Sequence, residues 1–314
     1  MSPRTDGPHG LLLLDKPAGI TSHDLVSRTR RALGTRKVGH AGTLDPMATG
    51  LMLVGVGDAT RLLTYLVGED KVYEATVRFG STTTTEDAEG EVKCVADESA
   101  LRAITYDRLE AALATQRGAI NQVPSAVSAI KVDGVRSYRR VRDGEDVQLA
   151  PRPVTITELR VLGTEFHRGD AEAGATASLE VRLRVACSSG TYVRAIARDL
   201  GEELGVGAHL SALRRLEVGP YSVDDAADVA DPDLASFLRS PGEVATRQFA
   251  VYEASEEVAA ALRNGRKIEA PDEVAELVGP IAAIDTSGTL VGLFEVRDGV
   301  TKILMNMPQR QGDA

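Results

Sequence analysis

Alternating apolar and polar residues mark two segments of the chain, residues 72–79 and 179–187. Alternation places one polarity on each face of a strand, so both segments are predicted to be half-buried strands. The apolar run at residues 11–14 predicts another strand. Apolar residues recur at helical spacing over residues 25–33 and 193–204, which predicts two amphipathic helices. A Thr-x-x-acid capping box precedes the first of them.

Segments without either period separate these elements. Asp107 is the predicted N-cap of a short helix that ends at Gly118. The segment 163–178 is small, polar and acidic, and it is predicted to be an expendable hairpin insertion. Irregular loops are predicted where Gly and Thr are frequent or where periodicity is lost, at residues 39–50, 80–90 and 119–150.

The last part of the chain has its own pattern. Proline and glycine near residues 231–242 indicate a boundary, and we expect one domain at residues 1–247 and a second at 248–314. The second domain is predicted to be small and mostly β, with a short helix capped by Ser255 and followed by three strands. Those elements are predicted at residues 256–264, 281–285, 289–296 and 300–305.

Composition excludes several classes of protein. The 314 residues are 43% hydrophobic and 26% charged, which is ordinary for a globular chain. No apolar run approaches the roughly 18 residues that a membrane span needs, and the first residues do not have the pattern of a signal peptide. The two cysteines form neither a disulfide framework nor a zinc quartet. A cytoplasmic location without membrane contact is therefore predicted.

Charge is distributed unevenly along the chain. The net charge is −10, which argues against indiscriminate nucleic-acid binding, but residues 1–68 carry +3. Residues 69–230 carry −7 and residues 231–314 carry −6. Six basic residues and one acidic residue fall within residues 117–142, which is the pattern of a polyanion-binding surface or of a solvated loop.

The glycine-rich loop at residues 39–50 places His40, Thr43 and Asp45 close together, with Pro46 behind them. Glycines let such a loop approach a ligand. From spacing alone, Asp45 is a nucleophile, a metal ligand or a turn cap, and the turn cap before proline is favoured. No Asp-x-Asp or His-x-x-x-His pattern supports a metal. No Walker, nucleophile-elbow or dinucleotide motif is present, so no cofactor is predicted.

Four segments resemble the TruB family, the tRNA pseudouridine-55 synthases, in the order found there. They are KPAGITSHDLVSRTRRALGTRKVGHAGTLDPMATGLM (16–52), DKVYEATVRFGSTTTTEDAEG (70–90), QVPSAVSAIKVDGVRSYRRVRDGE (122–145) and CSSGTYVRAIARDLGEELG (187–205). The C-terminal ALRNGRKI segment, residues 261–268, is more loosely similar to the PUA-like domain of bacterial members. The resemblance implies an α/β (α+β) fold. Its catalytic domain would have a mixed, largely antiparallel sheet, and a small β-rich PUA-like domain would follow.

The resemblance also implies roles for residues in the active site. Asp45 occupies the position of the family's catalytic aspartate, which attacks the target uridine at C1′ or at C6. Arg194 matches the arginine that pairs with this carboxylate, and such a pair is expected to lower the carboxylate's pKa. Without the resemblance, Arg194 is interpreted as a surface residue in the first turn of a helix. Tyr73 matches the tyrosine that stacks on the target base, although its strand pattern also fits a core tyrosine.

Further matches imply contacts with RNA. His40 corresponds to the histidine that helps evict the uridine from the T-loop, and Lys71 and Tyr192 match residues of the pocket. Asp87 is assigned to substrate contact. The implied partner is the T-arm stem-loop of tRNA. The sequence shows no heptad repeat and no long apolar edge, so a monomer is expected. The insert at residues 119–150 is expected to bind its backbone through Lys131, Arg136, Tyr138, Arg139 and Arg140.

Two other functions compete with this interpretation. A non-catalytic tRNA-binding protein or folding chaperone could use the same scaffold, but the presence of Asp45, Tyr73 and Arg194 argues against an inactive enzyme. A hydrolase with an aspartate nucleophile would need a general-base partner or a metal cluster, and the sequence offers neither. The sequence therefore favours a tRNA pseudouridine synthase that acts on uridine 55.

Overall fold

The computed structural model describes residues 7–127, 131–132, 135–137, 140, 149–169 and 176–308. For Lys131 and Arg136 the description is of the backbone alone. The predicted RNA contacts Tyr138 and Arg139 lie outside the described residues.

Most strands belong to two sheets, one formed from strands between residues 10 and 222 and the other from strands between residues 250 and 306. The strands are β1 Gly10–Lys16, β2 Val38–Ala41, β3 Thr49–Val56, β4 Lys71–Phe79, β5 Ser81–Thr83, β6 Val92–Val95, β7 Gly118–Gln122, β8 Lys131–Val132, β9 Val135–Arg136, β10 Arg152–His167, β11 Ser178–Cys187, β12 Ala208–Val218, β13 Tyr221–Ser222, β14 Ala250–Ala254, β15 Ile281–Asp285, β16 Leu290–Arg297 and β17 Val300–Asn306.

The helices are short. The α-helices are α1 Ser22–Ala32, α2 Leu63–Leu66, α3 Glu98–Arg102, α4 Tyr106–Thr115, α5 Val193–Leu204, α6 Pro241–Gln248 and α7 Glu256–Arg263. Single 3₁₀ turns occupy Gly57–Arg61, Val223–Asp225, Leu234–Phe237 and Asp272–Val274. Within the residues that the structure describes, no helix is long and apolar enough to cross a membrane.

The large sheet has the order β1-β3-β12-β4-β11-β10-β7, with β2 added beside β3 and β13 beside β12. Its neighbouring strands run antiparallel except β3 and β12, which are parallel. The predicted α/β class with a mixed, largely antiparallel sheet is therefore confirmed. β4 and β11, the two strands predicted from alternation, lie side by side near its centre.

Strand β4 shows how alternation places chemistry on one face of the sheet. Tyr73, Ala75, Val77 and Phe79 are buried in the main core, whereas Glu74 is exposed on the other face. Helix α5 packs against this apolar core, with its Ile196 and Leu200 fully buried. A polar side chain on the inner face of β4 is therefore either buried or directed into a cleft.

Helix α1 begins as its sequence predicts. The Thr21 hydroxyl accepts a hydrogen bond from the Asp24 backbone N–H, and the Asp24 carboxylate accepts one from the Thr21 backbone N–H. The next residue, Ser22, is buried, and its hydroxyl bonds both the N–H and the carbonyl of Leu44 at 2.9 Å. The start of α1 thus anchors the loop that carries Asp45.

Three of the predicted loops contain strands. Residues 38–41 form β2 along β3, the threonine-rich segment contributes β5 paired with β6, and residues 118–122 form β7 along β10. These predictions were wrong because each segment is extended by pairing with another strand, which no period of its own reveals. The helix near residue 107 was also misplaced. Thr105 is its N-cap, and the helix ends at Thr115.

The segment 163–178 extends the β10–β11 hairpin. Thr164 pairs with Val181 and His167 pairs with Ser178 in antiparallel register. The predicted hairpin is therefore present in the described residues, and residues 170–175 lie outside them.

The second sheet has the order β14-β15-β16-β17, and helix α7, capped by Ser255, packs against it. The predicted helix and three strands are present. The parallel edge strand β14 escaped prediction because it has only five residues, most of them exposed. Leu11 and Leu13 of β1 share a buried cluster with Ala245 of α6 and with Ala282 and Leu293 of the second sheet. The two sheets are therefore joined through one apolar interface.

We expect Leu293→Ala to destabilise the whole protein. Leu293 is buried in the cluster that both sheets share, and a buried Leu→Ala change costs about 2–5 kcal/mol. Thermal unfolding should show one transition at lower temperature. Val278→Ala, at a fully exposed position, is the control and should leave Tm unchanged. An early transition confined to the second sheet would contradict the shared core.

Candidate active site

A cleft of about 360 Å³ opens between the Asp45 loop, the inner face of the large sheet and the start of α5. The loop contributes one wall, the turn after β11 another, and side chains of β4 and β12 the floor. The residues that line it are Gly42, Thr43, Leu44, Asp45, Val67, Lys71, Tyr73, Ser188, Ser189, Gly190, Thr191, Tyr192, Val193, Arg194, Leu213 and Arg215. The sequence-predicted residues Asp45, Lys71, Tyr73, Tyr192 and Arg194 are thus brought together.

Asp45 and Arg194 form an ion pair at the cleft wall. The Arg194 Nε lies 3.0 Å from Asp45 Oδ2. The Arg194 side chain is 6% exposed and that of Asp45 is 36% exposed, so the carboxylate faces the cleft while its partner is enclosed by protein. Neither alternative interpretation of these residues holds. Arg194 is not a surface residue, and in the described part of the chain no backbone N–H donates to the Asp45 carboxylate as a turn cap would require.

Protein groups hold the guanidinium on its other sides. Its Nη1 donates to the Thr85 carbonyl at 2.9 Å, and its Nη2 donates to the Val127 carbonyl at 2.8 Å. Nη1 also lies 3.5 Å from Oδ2 of Asp87. Three chain segments that are far apart in sequence therefore fix the orientation of the guanidinium. Its Nε in turn holds the Asp45 carboxylate in place.

Asp87 lies behind Arg194 rather than in the cleft. Its side chain is buried, and Oδ1 accepts hydrogen bonds from the Thr85 hydroxyl and from the Glu89 backbone N–H. It is not among the residues that line the cleft. This position makes Asp87 a second carboxylate for Arg194, and it does not support the predicted contact with substrate.

The pKa of Asp45 is raised above its ordinary value. Burial is the largest cause, and the nearby Asp87 carboxylate acts in the same direction. Arg194, by attraction and by hydrogen bonding, lowers the pKa but does not fully offset burial. The sequence led us to expect a lowered pKa. The motifs identify Arg194 as the partner charge, but they do not show that folding excludes water from the Asp45 carboxylate.

The floor of the cleft carries two cations beside an aromatic ring. Tyr73 and Lys71 lie on the inner face of β4, and Arg215 pairs with Tyr73 across the sheet from β12. Lys71 donates to the Val67 and Glu69 carbonyls and to the Ser189 hydroxyl. Burial, together with repulsion from Arg215, lowers the pKa of Lys71 to about 8. Sequence reasoning missed Arg215 because the pattern did not predict β12.

Tyr192 is oriented by a residue that the sequence did not single out. The buried Gln122 accepts a hydrogen bond from the Tyr192 N–H at 2.8 Å and donates one to the Tyr192 carbonyl at 3.1 Å. This pair of bonds ties strand β7 to the start of α5. No sequence pattern distinguishes Gln122, a polar residue at the end of a short strand, as the residue that orients Tyr192.

His40 lies on β2, outside the cleft lining. Its ring meets that of His23 edge to face, with centroids 6.5 Å apart. The buried Nδ1 has no hydrogen-bond partner among the described atoms. Burial, more than the neighbouring His23 and Arg215, lowers the pKa of His40, so the imidazole is neutral at neutral pH.

The basic insert is only partly within the described residues. The backbones of Lys131 and Arg136 pair in the two-stranded ribbon β8–β9, and Arg140 is partly buried. Among the described residues, no group of three or more His, Cys, Asp or Glu side chains is arranged to hold a metal ion.

Two family models and several curated relatives match this chain. The model of the TruB family pseudouridylate synthase N-terminal domain matches residues 30–193, and that of the tRNA pseudouridylate synthase B C-terminal domain matches residues 194–239. The tRNA pseudouridine synthase B of Leifsonia xyli is 48% identical over 95% of this chain and 96% of its own length. That of an Arthrobacter species is 49% identical over 96% and 98%.

A solved structure also has the same fold. A chain of a Cbf5–Nop10–Gar1 complex superposes with a TM-score of 0.69 at 22% identity, covering 96% of this chain and 84% of that chain. This similarity supports the fold alone, whereas the family models and the curated relatives identify the family. The chain belongs to the TruB family of pseudouridylate synthases.

Proposed function

We propose that this protein converts uridine 55 in the T-loop of tRNA to pseudouridine, with Asp45 as the nucleophile. The observation that carries the proposal is the Asp45 carboxylate, held 3.0 Å from the buried Arg194 in a cleft whose floor is Tyr73. The curated relatives carry the name tRNA pseudouridine synthase B and match nearly the whole chain. Uridine 55 and the nucleophilic step are what the resemblance to the TruB family implies.

The reaction is an internal rearrangement. The bond from uracil N1 to ribose C1′ breaks, the base turns, and a bond from C5 to C1′ forms while C5 loses its proton and N1 gains one. Asp45 attacks either C1′ or C6, and in both cases its carboxylate leaves again at the end. Reactant and product have the same atoms and oxidation level, so the proposal includes no cofactor.

The cleft fits a base that has flipped out of the T-loop. A flipped uracil needs an aromatic face to replace the stacking it loses, and Tyr73 lies at the cleft floor beside Asp45. His40 is the proposed group that fills the gap in the T-loop. As a neutral ring, it can occupy that space without a charge.

Recognition of the tRNA is assigned to basic residues on an acidic protein. The net charge of −10 disfavours general affinity for RNA, so local clusters must supply the phosphate contacts. We assign these to the insert, including Lys131, Arg136 and Arg140. The protein is proposed to act as a monomer in the cytoplasm.

Mapping pseudouridine in an unmodified tRNA transcript tests the proposal. Chemical derivatisation after incubation should place one pseudouridine at position 55, and a transcript with cytidine at that position should remain unmodified. A T-arm stem-loop alone should also be a substrate. Modification at another position, or none, would refute the assignment.

Asp45→Asn should abolish turnover and leave binding intact. The amide keeps a carbonyl oxygen beside Arg194 but is a poor nucleophile, and loss of a nucleophile typically costs on the order of 10⁴-fold in rate. Tm and tRNA affinity should stay near those of the wild type, because phosphate contacts elsewhere hold the RNA. Single-turnover pseudouridine yield measures the effect. A retained tenth of the wild-type rate would show that Asp45 is not the nucleophile.

Arg194→Lys should lower turnover strongly with little change in tRNA affinity. Lysine keeps the charge but cannot contact Asp45, Asp87 and the Thr85 and Val127 carbonyls at once. Arg160→Lys, at an exposed pair with Glu158, is a matched control and should have no effect. Single-turnover rates and Kd of the two variants provide the comparison, and equal rates would contradict the positioning role.

The rate should fall in acid at a higher pH than for an ordinary aspartate. Only the ionised Asp45 can attack, and burial raises its pKa, so activity is present above this raised pKa and lost as pH falls through it. Arg194→Gln removes the charge that opposes burial, so its residual activity should require still higher pH. Single-turnover rates between pH 4.5 and 8 measure both profiles. If the wild type and Arg194→Gln lost activity at the same acidic pH, electrostatic coupling between Asp45 and Arg194 would be contradicted.

A further inference from the structure

Arg215 is a fully buried cation whose hydrogen-bond acceptors are all neutral. One per cent of its surface is exposed. Its Nε donates to the Leu51 carbonyl at 2.7 Å, and its Nη2 donates to the Gly42 carbonyl at 3.3 Å and contacts the Met52 sulfur at 3.0 Å. Among the ion pairs of the described residues, none involves Arg215. In this respect it differs from Arg194, which has two carboxylates.

A buried charge without an opposite charge is costly, and neutral acceptors compensate it only in part. The neighbouring Lys71 increases this cost, because Lys71 also bonds only neutral groups and the two cations repel. Neither cation of the cleft floor forms an ion pair among the described residues, although the Glu69 and Asp70 carboxylates attract Lys71 from beyond ion-pair distance. A negative group bound in the cleft would therefore stabilise both cations.

The position of this charge indicates which part of a ligand it meets. Arg215 lies directly opposite Tyr73 in the register of β12 and β4, and Lys71 lies two residues before Tyr73 on the same face. Directly opposed residues in antiparallel strands have Cβ atoms about 5 Å apart. A Cβ added at Gly42 would lie 3.5 Å from Arg215 Nη1 and 4.0 Å from Lys71 Cε, so both cations border the cleft at this glycine. A base stacked on Tyr73 would have them at its edge.

We propose that Arg215, supported by Lys71, stabilises negative charge on the uracil ring during the rearrangement. The inference rests on the proposed function. When the N1–C1′ bond breaks, its electron pair stays on N1 and the base carries a negative charge until C5 bonds C1′. When the carboxylate instead adds to C6, the displaced pair moves into the ring toward the O4 oxygen. Both routes make the base transiently anionic, and both end with the C5 proton released and a proton bound at N1.

The two sides of the cleft then have complementary tasks. Asp45 meets the sugar or the ring carbon that becomes electron-poor, while Arg215 lies at the edge of the ring that becomes electron-rich. Fixed charges placed where charge develops need no rearrangement during the reaction. A phosphate of the RNA is the competing partner for Arg215, and it would be bound equally before and during the reaction.

The test compares two T-arm stem-loops, one with uridine and one with 5-fluorouridine at position 55. Fluorine withdraws electrons and stabilises an anionic ring by itself. Digestion to nucleosides follows the disappearance of the original nucleoside at position 55, which does not depend on loss of a C5 proton. The variants are Arg215→Lys, Arg215→Gln and Lys71→Gln. Arg214→Gln is the matched control, because Arg214 is the adjacent, partly exposed residue, outside the cleft and paired with Asp15.

We expect Arg215→Gln to slow conversion of uridine by about 100-fold, the typical effect of removing one group that stabilises a developing anion. The slowing should be at least about tenfold smaller for 5-fluorouridine, since the fluorinated ring depends less on the protein. Arg215→Lys and Lys71→Gln should show the same dependence on substrate with smaller losses, and Arg214→Gln should match the wild type. Stem-loop Kd should change less than threefold.

Each other outcome would overturn the inference. Equal slowing of both substrates, together with a lower Tm, would make Arg215 a structural clamp between β12 and the Gly42 loop. A loss of affinity without a loss of single-turnover rate would assign it to a phosphate. If Arg215→Gln fails to fold, the substrate dependence of Lys71→Gln and Arg215→Lys decides in the same way. Absence of pseudouridine with the wild type would instead refute the proposed function.

Discussion

The ion pair between Arg194 and Asp45 is the constraint around which the rest of the site is arranged. A buried guanidinium is tolerated only where charges and acceptors surround it, and Asp87, Thr85 and Val127 complete that set. These partners come from separate segments of the chain. The pair can therefore form only when the Asp45 loop, the β5–β6 loop, the segment after β7 and the start of α5 have all packed together. This makes the geometry of the reactive carboxylate a consequence of the whole fold.

Electrostatics in the cleft are asymmetric. Asp45 shares its cation with a second carboxylate, so this wall has an excess of negative charge, while Arg215 and Lys71 give the floor an excess of positive charge. Burial strengthens both effects, because little water is present to screen them. The raised pKa of Asp45 and the lowered pKa of Lys71 are two expressions of the same loss of water.

The scaffold keeps this cleft rigid through contacts that themselves take no part in chemistry. Ser22 anchors the Asp45 loop to the first turn of α1, and Gln122 ties the start of α5 to an edge strand. The second sheet packs on β1 through Leu293 and Ala282, on the apolar cluster that also contains Leu11. Residues 231–314 carry a net charge of −6, but this packing is apolar, so their charge does not prevent the second sheet from stabilising the catalytic domain.

The sequence by itself determined the elements whose signal is local. Alternation predicted β4 and β11, the Thr21 capping box predicted the start of α1, and the motifs around Asp45 and Arg194 predicted the family. Strict periods and caps depend on neighbouring residues, so they are visible without the fold.

Tertiary structure alone decided the rest. The strands β2, β5 and β7 are extended through pairing with β3, β6 and β10, and Arg215 is a cleft residue only because β12 lies beside β4. The direction of the Asp45 pKa was also decided there, since it depends on how much water the packed chain excludes. Pairing partners and excluded water are properties of residues far apart in sequence, and no local pattern encodes them.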